Sequence, residues 1–179
     1  NEAQVGTNFI MNDFFNSDKF NENFPEKKCK VITSIAMFYD LDNPNRFVGD
    51  VAKCLHRDGI WIIQMAYLIP MLKLNGFDNI GHEHLEYYSV KALNKLIEKY
   101  GMKIFNVEKN YVYGGSIRAY ITHKENDLIP ISPSVQNIMQ EEDNLGLDDM
   151  LIYNEFADNV NKIKEKYPNC KETYPCFSE

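Results

Sequence analysis

The sequence predicts an α/β fold: a sheet with one antiparallel member, followed by a helical appendage. Three observations carry this expectation. The continuous apolar run "CKVITSIAMF", from Cys29, has the character of a strand buried on both faces, as central parallel strands are. Strand and helix signals alternate as far as Tyr100, and two more strand segments then follow across a short glycine-bearing connection. From Ser132 onward the pattern is helical only.

Each element has its own local reason. Thr7 to Met11 is a short β-prone segment with Asn12 and Asp13 at its carboxyl end. The polar stretch "NSDKFNENFPEKK" leads to the Cys29 strand. A helix follows, with Asn43 as cap, Pro44 at the first helical position, Phe47, Val48, Val51 and Leu55 as its apolar face, and Gly59 as the stop. "IWIIQMAY" is the next strand. Ser89 caps a helix whose Val90, Leu93, Leu96, Ile97 and Tyr100 share a stripe, with Gly101 at its end. "MKIFNVEKN" and "SIRAYITHK" are strands joined by "YVYGG". Ser132 and Pro133 open one appended helix; a second carries Met150, Tyr153, Phe156, Ala157, Val160 and Ile163 before Pro168.

Composition narrows the function classes. A net charge of -7 over 179 residues argues against nucleic acid and against an anionic membrane surface, because phosphate binding needs a cationic stripe. The longest apolar run, "IWIIQMAYLIPML", is interrupted by Gln64 and Pro70 and falls short of the roughly 20 residues of a bilayer span. Cys29, Cys54, Cys170 and Cys176 form no CxxC pair, which favours reduced thiols and a cytoplasmic setting.

The stretch "GFDNIGHEHLEYYS", Gly76 to Ser89, concentrates the chemistry. Two imidazoles flank a carboxylate, just past the carboxyl end of a strand, where open α/β sheets bind ligands. In an extended segment His82 and His84 would project to one side and Glu83 to the other. Three readings stay open: a metal site, although the two-residue spacing differs from the helical four; general acid–base chemistry, since imidazole titrates near neutral pH; or a polar loop whose histidines bond to backbone. "YGGSIR" adds Gly114 and Gly115 for close approach, Ser116 as donor and Arg118 for an anion, or is simply a hairpin turn.

Taken together, "NDFF", "ITSIAMFYDLDNPNRFV", "LHRDGIWIIQMAYL", "NGFDNIGHEHLEYYS" and "YGGSIRAYI" resemble the class I S-adenosylmethionine-dependent C-methyltransferases that act on nucleotide-linked keto-deoxysugars. The resemblance runs from Asn1 to about Lys124, and "SPSV", "EED" and "YNEFADNV" continue it. It implies a Rossmann-like sheet, S-adenosylmethionine as cofactor, and a base that removes a proton beside a ketone so that the enolate carbon attacks the methyl group. By matching position, His84 is the base, Glu83 its orienter or an alternative base, and His82 a support or oxyanion donor. Asp13 and Phe14 lie near adenine, and Ser34, Ile35 and Ala36 line the methionine end. Tyr39, Asp40, Tyr88, Ser116 and Arg118 face the substrate, a small molecule and by resemblance a nucleotide sugar. Gly81 stands where many relatives have a tyrosine, so by the resemblance that role is vacant or filled by Tyr87, Tyr88 or Tyr113.

The same resemblance implies a fragment. The family's N-terminal zinc module, glycine-rich cofactor loop and following acidic strand end have no counterpart after Asn1, so the expected sheet is incomplete and the chain alone is expected to hold S-adenosylmethionine poorly. Residues 1–127 then form part of the catalytic domain, and 128–179 a helical connector toward a further domain. The open sheet would pair with the absent N-terminal segment or a partner. The rival reading is a non-catalytic methyltransferase-like binding module that uses the exposed sheet edge.

Overall fold

In the computed structural model residues 10–167 are described. Most of the Thr7–Met11 segment, together with Cys170 and Cys176, lies outside them, and Ile10 and Met11 belong to no strand. The stretch expected to be merely polar contains a helix, α1 (Ser17–Asn23), because the Asn16 side chain caps it by accepting from the Lys19 N–H at 2.9 Å. The buried Ser17 hydroxyl then donates to Asp50 at 2.7 Å and ties α1 to the next helix.

β1 (Cys29–Ile35) leads through a 3-10 turn (Phe38–Asp40) to α2 (Pro44–Cys54), capped by Asn43 with Pro44 at its start, as read from the sequence. The expected stop at Gly59 is corrected: α2 ends at Cys54, and β2 (Leu55–Ala66) takes in the whole of "HRDG". A Cβ on Gly59 would lie 2.8 Å from the Cys29 carbonyl oxygen, so this glycine admits the close approach of β1 and β2 where their register shifts. α3 (Leu68–Leu74) is a helix where a Pro70 connection was expected; a proline in the first turn interrupts no helical hydrogen bond. α4 (Val90–Glu98) follows its Ser89 cap, and β3 (Met102–Asn110) and β4 (Ser116–His123) form the expected hairpin. α5 (Pro133–Leu145) and α6 (Met150–Lys166) complete the described chain.

The four strands lie in the order β1-β2-β4-β3. β1 and β2 are parallel, and β4 is antiparallel to both β2 and β3, so β4 is the single reversed member, inserted between two that run together. The sheet is thus α/β and, relative to a full Rossmann-like sheet, incomplete. Alternation along the strands sends Trp61, Ile63 and Met65 of β2 and Ile117, Ala119 and Ile121 of β4 to one face. There they join Val48, Val51, Leu93, Ile97, Val135 and Ile138 in one core, so α5 is packed into it while α6 has no buried residue. No helix among the described residues is long and apolar enough to cross a membrane.

β1 departs from expectation. Among the described residues it has a neighbour on one side only, and Val31 (59% exposed) and Ile35 (50%) lie on an uncovered face. An apolar run alone does not distinguish an edge strand from a central one; its neighbours do.

Cys54 supplies a pH test. It is fully buried, and burial, reinforced by the nearby Cys29, pushes its thiol from 9.0 up to about 11. The folded chain therefore keeps a proton that the unfolded chain releases, and stability falls as pH rises from 9 to about 11. Urea unfolding at pH 8, 9, 10 and 11 should show this decline, and Cys54→Ala should flatten it; an equal slope in the variant would assign the decline to other groups.

Candidate active site

Past the carboxyl end of β2, the chain from Gly76 to Ser89 folds over the 3-10 turn that follows β1. The tether is main-chain: the Leu85 and Glu86 N–H groups donate to the Tyr39 carbonyl at 3.0 and 3.1 Å. Tyr39, Asn79, His84, Glu86 and Tyr87 then face Ala66, Tyr67, Leu68, Met71, Gly114 and Gly115 across a cleft. It encloses ≈ 20 Å³, enough for a water. Gly115 adopts φ +133°, and a Cβ there would come within 2.4 Å of Pro70, so the wall beneath His84 requires glycine.

His84 is half-buried, its ring edge-on to Tyr39 with centroids 4.5 Å apart. Its Nδ1 lies 2.7 Å from the Asn79 carbonyl oxygen. A carbonyl only accepts, so Nδ1 carries the proton, and in the neutral ring Nε2 holds the lone pair. Nε2 has no partner among the described residues. The expected convergence of the two histidines is corrected: the His84 N–H donates to the Gly81 carbonyl at 3.1 Å, closing a turn rather than an extended segment. His82 consequently stands in solvent, its side chain 94% exposed, with Nε2 3.9 Å from the carboxylate of Glu83, itself 78% exposed. Among the described residues no group of three His, Cys, Asp or Glu could hold a metal ion.

The remaining expected site residues divide. Tyr39 lines the cleft; Asp40, beside it, is exposed outside the lining. Tyr88 turns into the core, 5.2 Å from the Phe38 ring, and burial followed by the Glu86 charge raises its phenol pKa. Ser116 is buried, its hydroxyl donating to the Val112 carbonyl at 2.7 Å. Arg118 lies on the uncovered sheet face, donating from Nε and Nη2 to Gln64 Oε1 at 3.1 and 2.6 Å, with Glu108 at 3.9 Å. None of these three lines the cleft with His84: Tyr88 packs in the core, and the Ser116 and Arg118 polar atoms are engaged elsewhere.

On the expected cofactor side, Ile35 and Ala36 are exposed at the carboxyl end of β1, and Ala36 takes φ +51° while its N–H donates to the Gln64 carbonyl at 2.9 Å. Phe14 is 92% exposed. Asp13 is already engaged, accepting the Phe14 N–H at 2.7 Å and pairing with Lys19. Ser34 is buried and accepts the Trp61 indole N–H at 3.0 Å, which makes its hydroxyl a core anchor. Ser34→Ala should therefore cost about 1–2 kcal/mol of stability in urea unfolding; an unchanged midpoint would show that the hydroxyl is no core anchor.

Sequence reasoning missed Asn79, Tyr67, Met71 and Glu86 as cleft residues. Asn79 acts through its carbonyl, which no side-chain motif reports, and Tyr67 through a fold that brings β2 under the loop.

Comparison with known proteins bears on the whole arrangement. A family model described as a methyltransferase domain matches residues 2–107, more than half of the chain. The chain belongs to the methyltransferase family. A second model, described as a C-methyltransferase C-terminal domain, matches residues 111–172, so the two meet inside the β3–β4 hairpin of this methyltransferase chain. C-methyltransferase NovU of Streptomyces niveus is 31% identical over 127 residues, covering 71% of this chain; the chain spans 30% of that relative's length. Similar solved structures include mitomycin 7-O-methyltransferase MmcR (16% identity, 58% of this chain and 32% of that one, TM-score 0.45). Another is the magnesium protoporphyrin IX methyltransferase ChlM of Synechocystis PCC 6803 with bound SAH (10%, 56% and 47%, TM-score 0.43).

Proposed function

We propose that this chain is the acid–base part of an S-adenosylmethionine-dependent C-methyltransferase, with residues 128–179 as its helical connector, acting on a carbon next to a ketone of a nucleotide-linked deoxysugar. The observation that carries the reading is the His84 imidazole, a lining residue of the cleft whose Nδ1 proton goes to the Asn79 carbonyl and whose Nε2 has no partner among the described residues. NovU, a C-methyltransferase by name, and the C-methyltransferase family model over residues 111–172 support the reaction class.

The residues present fit one side of the cofactor. Exposed Phe14, Ile35 and Ala36 offer free surface for it, whereas Asp13 and Ser34 have their oxygens engaged. When bound, S-adenosylmethionine supplies an electrophilic methyl group. His84 Nε2 takes the proton from the carbon beside the ketone, and the bond from Nδ1 to the Asn79 carbonyl stabilises the resulting imidazolium without moving the ring. Tyr39, edge-on to the imidazole, restricts its rotation. The exposed His82 and Glu83 stay outside this step in the present arrangement.

Proton abstraction can be observed without methylation. In deuterium oxide, with S-adenosylhomocysteine in place of the donor, the intact protein should exchange deuterium into the carbon beside the ketone of a nucleotide-linked keto-deoxysugar, read by NMR. Methylation without any such exchange in a rapid-quench series would oppose a free enolate. Neither exchange nor methylation with a panel of such sugars would favour the binding-module reading, whose support is that β1 is an edge strand among the described residues.

A further inference from the structure

The segment that carries His84 is held at its far end by a residue more than fifty positions away. Glu142, on α5, is buried. Its Oε1 accepts the Val90 N–H at 2.6 Å and the Tyr67 hydroxyl at 2.9 Å, and its Oε2 accepts the Lys91 N–H at 2.9 Å. Val90 and Lys91 are the first two residues of α4, whose initial N–H groups have no intrahelical acceptor and whose dipole favours a negative charge. Ser89 satisfies a different one, that of Ala92, at 3.1 Å. Three donors converge on two oxygens of one group. A glutamine would present its NH2 to a donor, and an apolar residue would strand all three.

The segment from Asn79 to Lys91 is thus clamped twice. The Tyr39 carbonyl takes the Leu85 and Glu86 N–H groups next to His84, and Glu142 takes the two that follow Ser89. Tyr67 joins the clamp to the cleft wall, and beside it the Leu68 N–H donates to the Tyr88 carbonyl at 3.2 Å. We infer that Glu142 is a positioning residue for His84, by which α5 fixes the base-bearing segment and the Tyr67 wall in one geometry. The consequence for turnover rests on the proposed role of His84; the consequence for its ring geometry does not.

The test is Glu142→Gln in the intact protein, with two readouts. One is the NMR resonance of the His84 Nδ1 proton, which the bond to Asn79 protects from solvent; the other is kcat against KM. A folded variant, shown by circular dichroism and a cooperative melt, should lose or broaden that resonance. Its kcat should drop by about ten- to a hundredfold with KM for the methyl donor within about threefold, as for a displaced catalytic group. Lys91→Ala, which breaks the exposed Lys91–Asp143 pair between the same two helices, should leave both readouts unchanged. A folded Glu142→Gln protein with a sharp resonance and unchanged kcat overturns the inference. If that variant does not fold, Glu142→Asp decides: it keeps the charge but draws both oxygens back from the Val90 and Lys91 N–H groups. A broadened resonance there supports the clamp, and an unchanged one removes it. The resonance readout stands even if His84 proves not to be the base.

Discussion

His84→Asn is expected to abolish methyl transfer in the intact protein, lowering kcat by about a hundred- to ten-thousandfold, the usual contribution of a positioned general base. The substitution is chosen for what it keeps. An asparagine amide can still donate to the Asn79 carbonyl, so the local turn from Gly81 to His84 loses little, while the Nε2 lone pair disappears. Affinity for S-adenosylmethionine should stay within about threefold, since a base acts on the transition state more than on the bound ground state. Deuterium exchange beside the ketone should vanish in parallel. Undiminished turnover would take His84 out of the role and leave the cleft as a binding feature. Loss of cofactor binding with turnover would instead give the ring a structural part.

Trp61→Ala should have the largest effect on stability, about 3–5 kcal/mol by urea unfolding. Trp61 is fully buried on β2, with Phe38 at 5.7 Å and Phe47 at 6.2 Å between ring centroids, so it joins the central sheet to the turn after β1 and to α2. Its removal also leaves the Ser34 hydroxyl buried without its indole donor. The cleft should suffer indirectly, because Phe38, its ring tilted against that of Tyr88 at 5.2 Å, is the neighbour of the cleft residue Tyr39 in the 3-10 turn. A loss below about 1 kcal/mol would show that the core collapses around the vacancy.

Capping and periodicity made much of the fold legible. Asn43 with Pro44, Ser89, and Ser132 with Pro133 announced three helices by satisfying N–H groups locally, and the structure places all three caps as read. The single reversed strand followed from a hairpin closed by Gly114 and Gly115, both with positive φ. α1 had the same kind of signal in Asn16, diluted by its polar surroundings, and α3 was obscured by Pro70. In the site the divide is sharper. His84 is singled out by its matching position in the family resemblance, whereas neighbouring residue types by themselves could not tell His82 from His84 or predict that Ser34 and Tyr88 face inward.

The sequence by itself determined the order and type of most elements, the family, and the segment in which the proton chemistry is proposed to lie, because these depend on short-range periodicity, caps and residue identity. The tertiary structure alone decided that β1 is an edge among the described residues, that one histidine of the pair lines the cleft, and that a glutamate on α5 accepts the first N–H groups of α4. Those outcomes depend on which backbone groups distant segments leave unsatisfied when they meet, and a buried carbonyl or N–H takes whichever partner the fold brings to it.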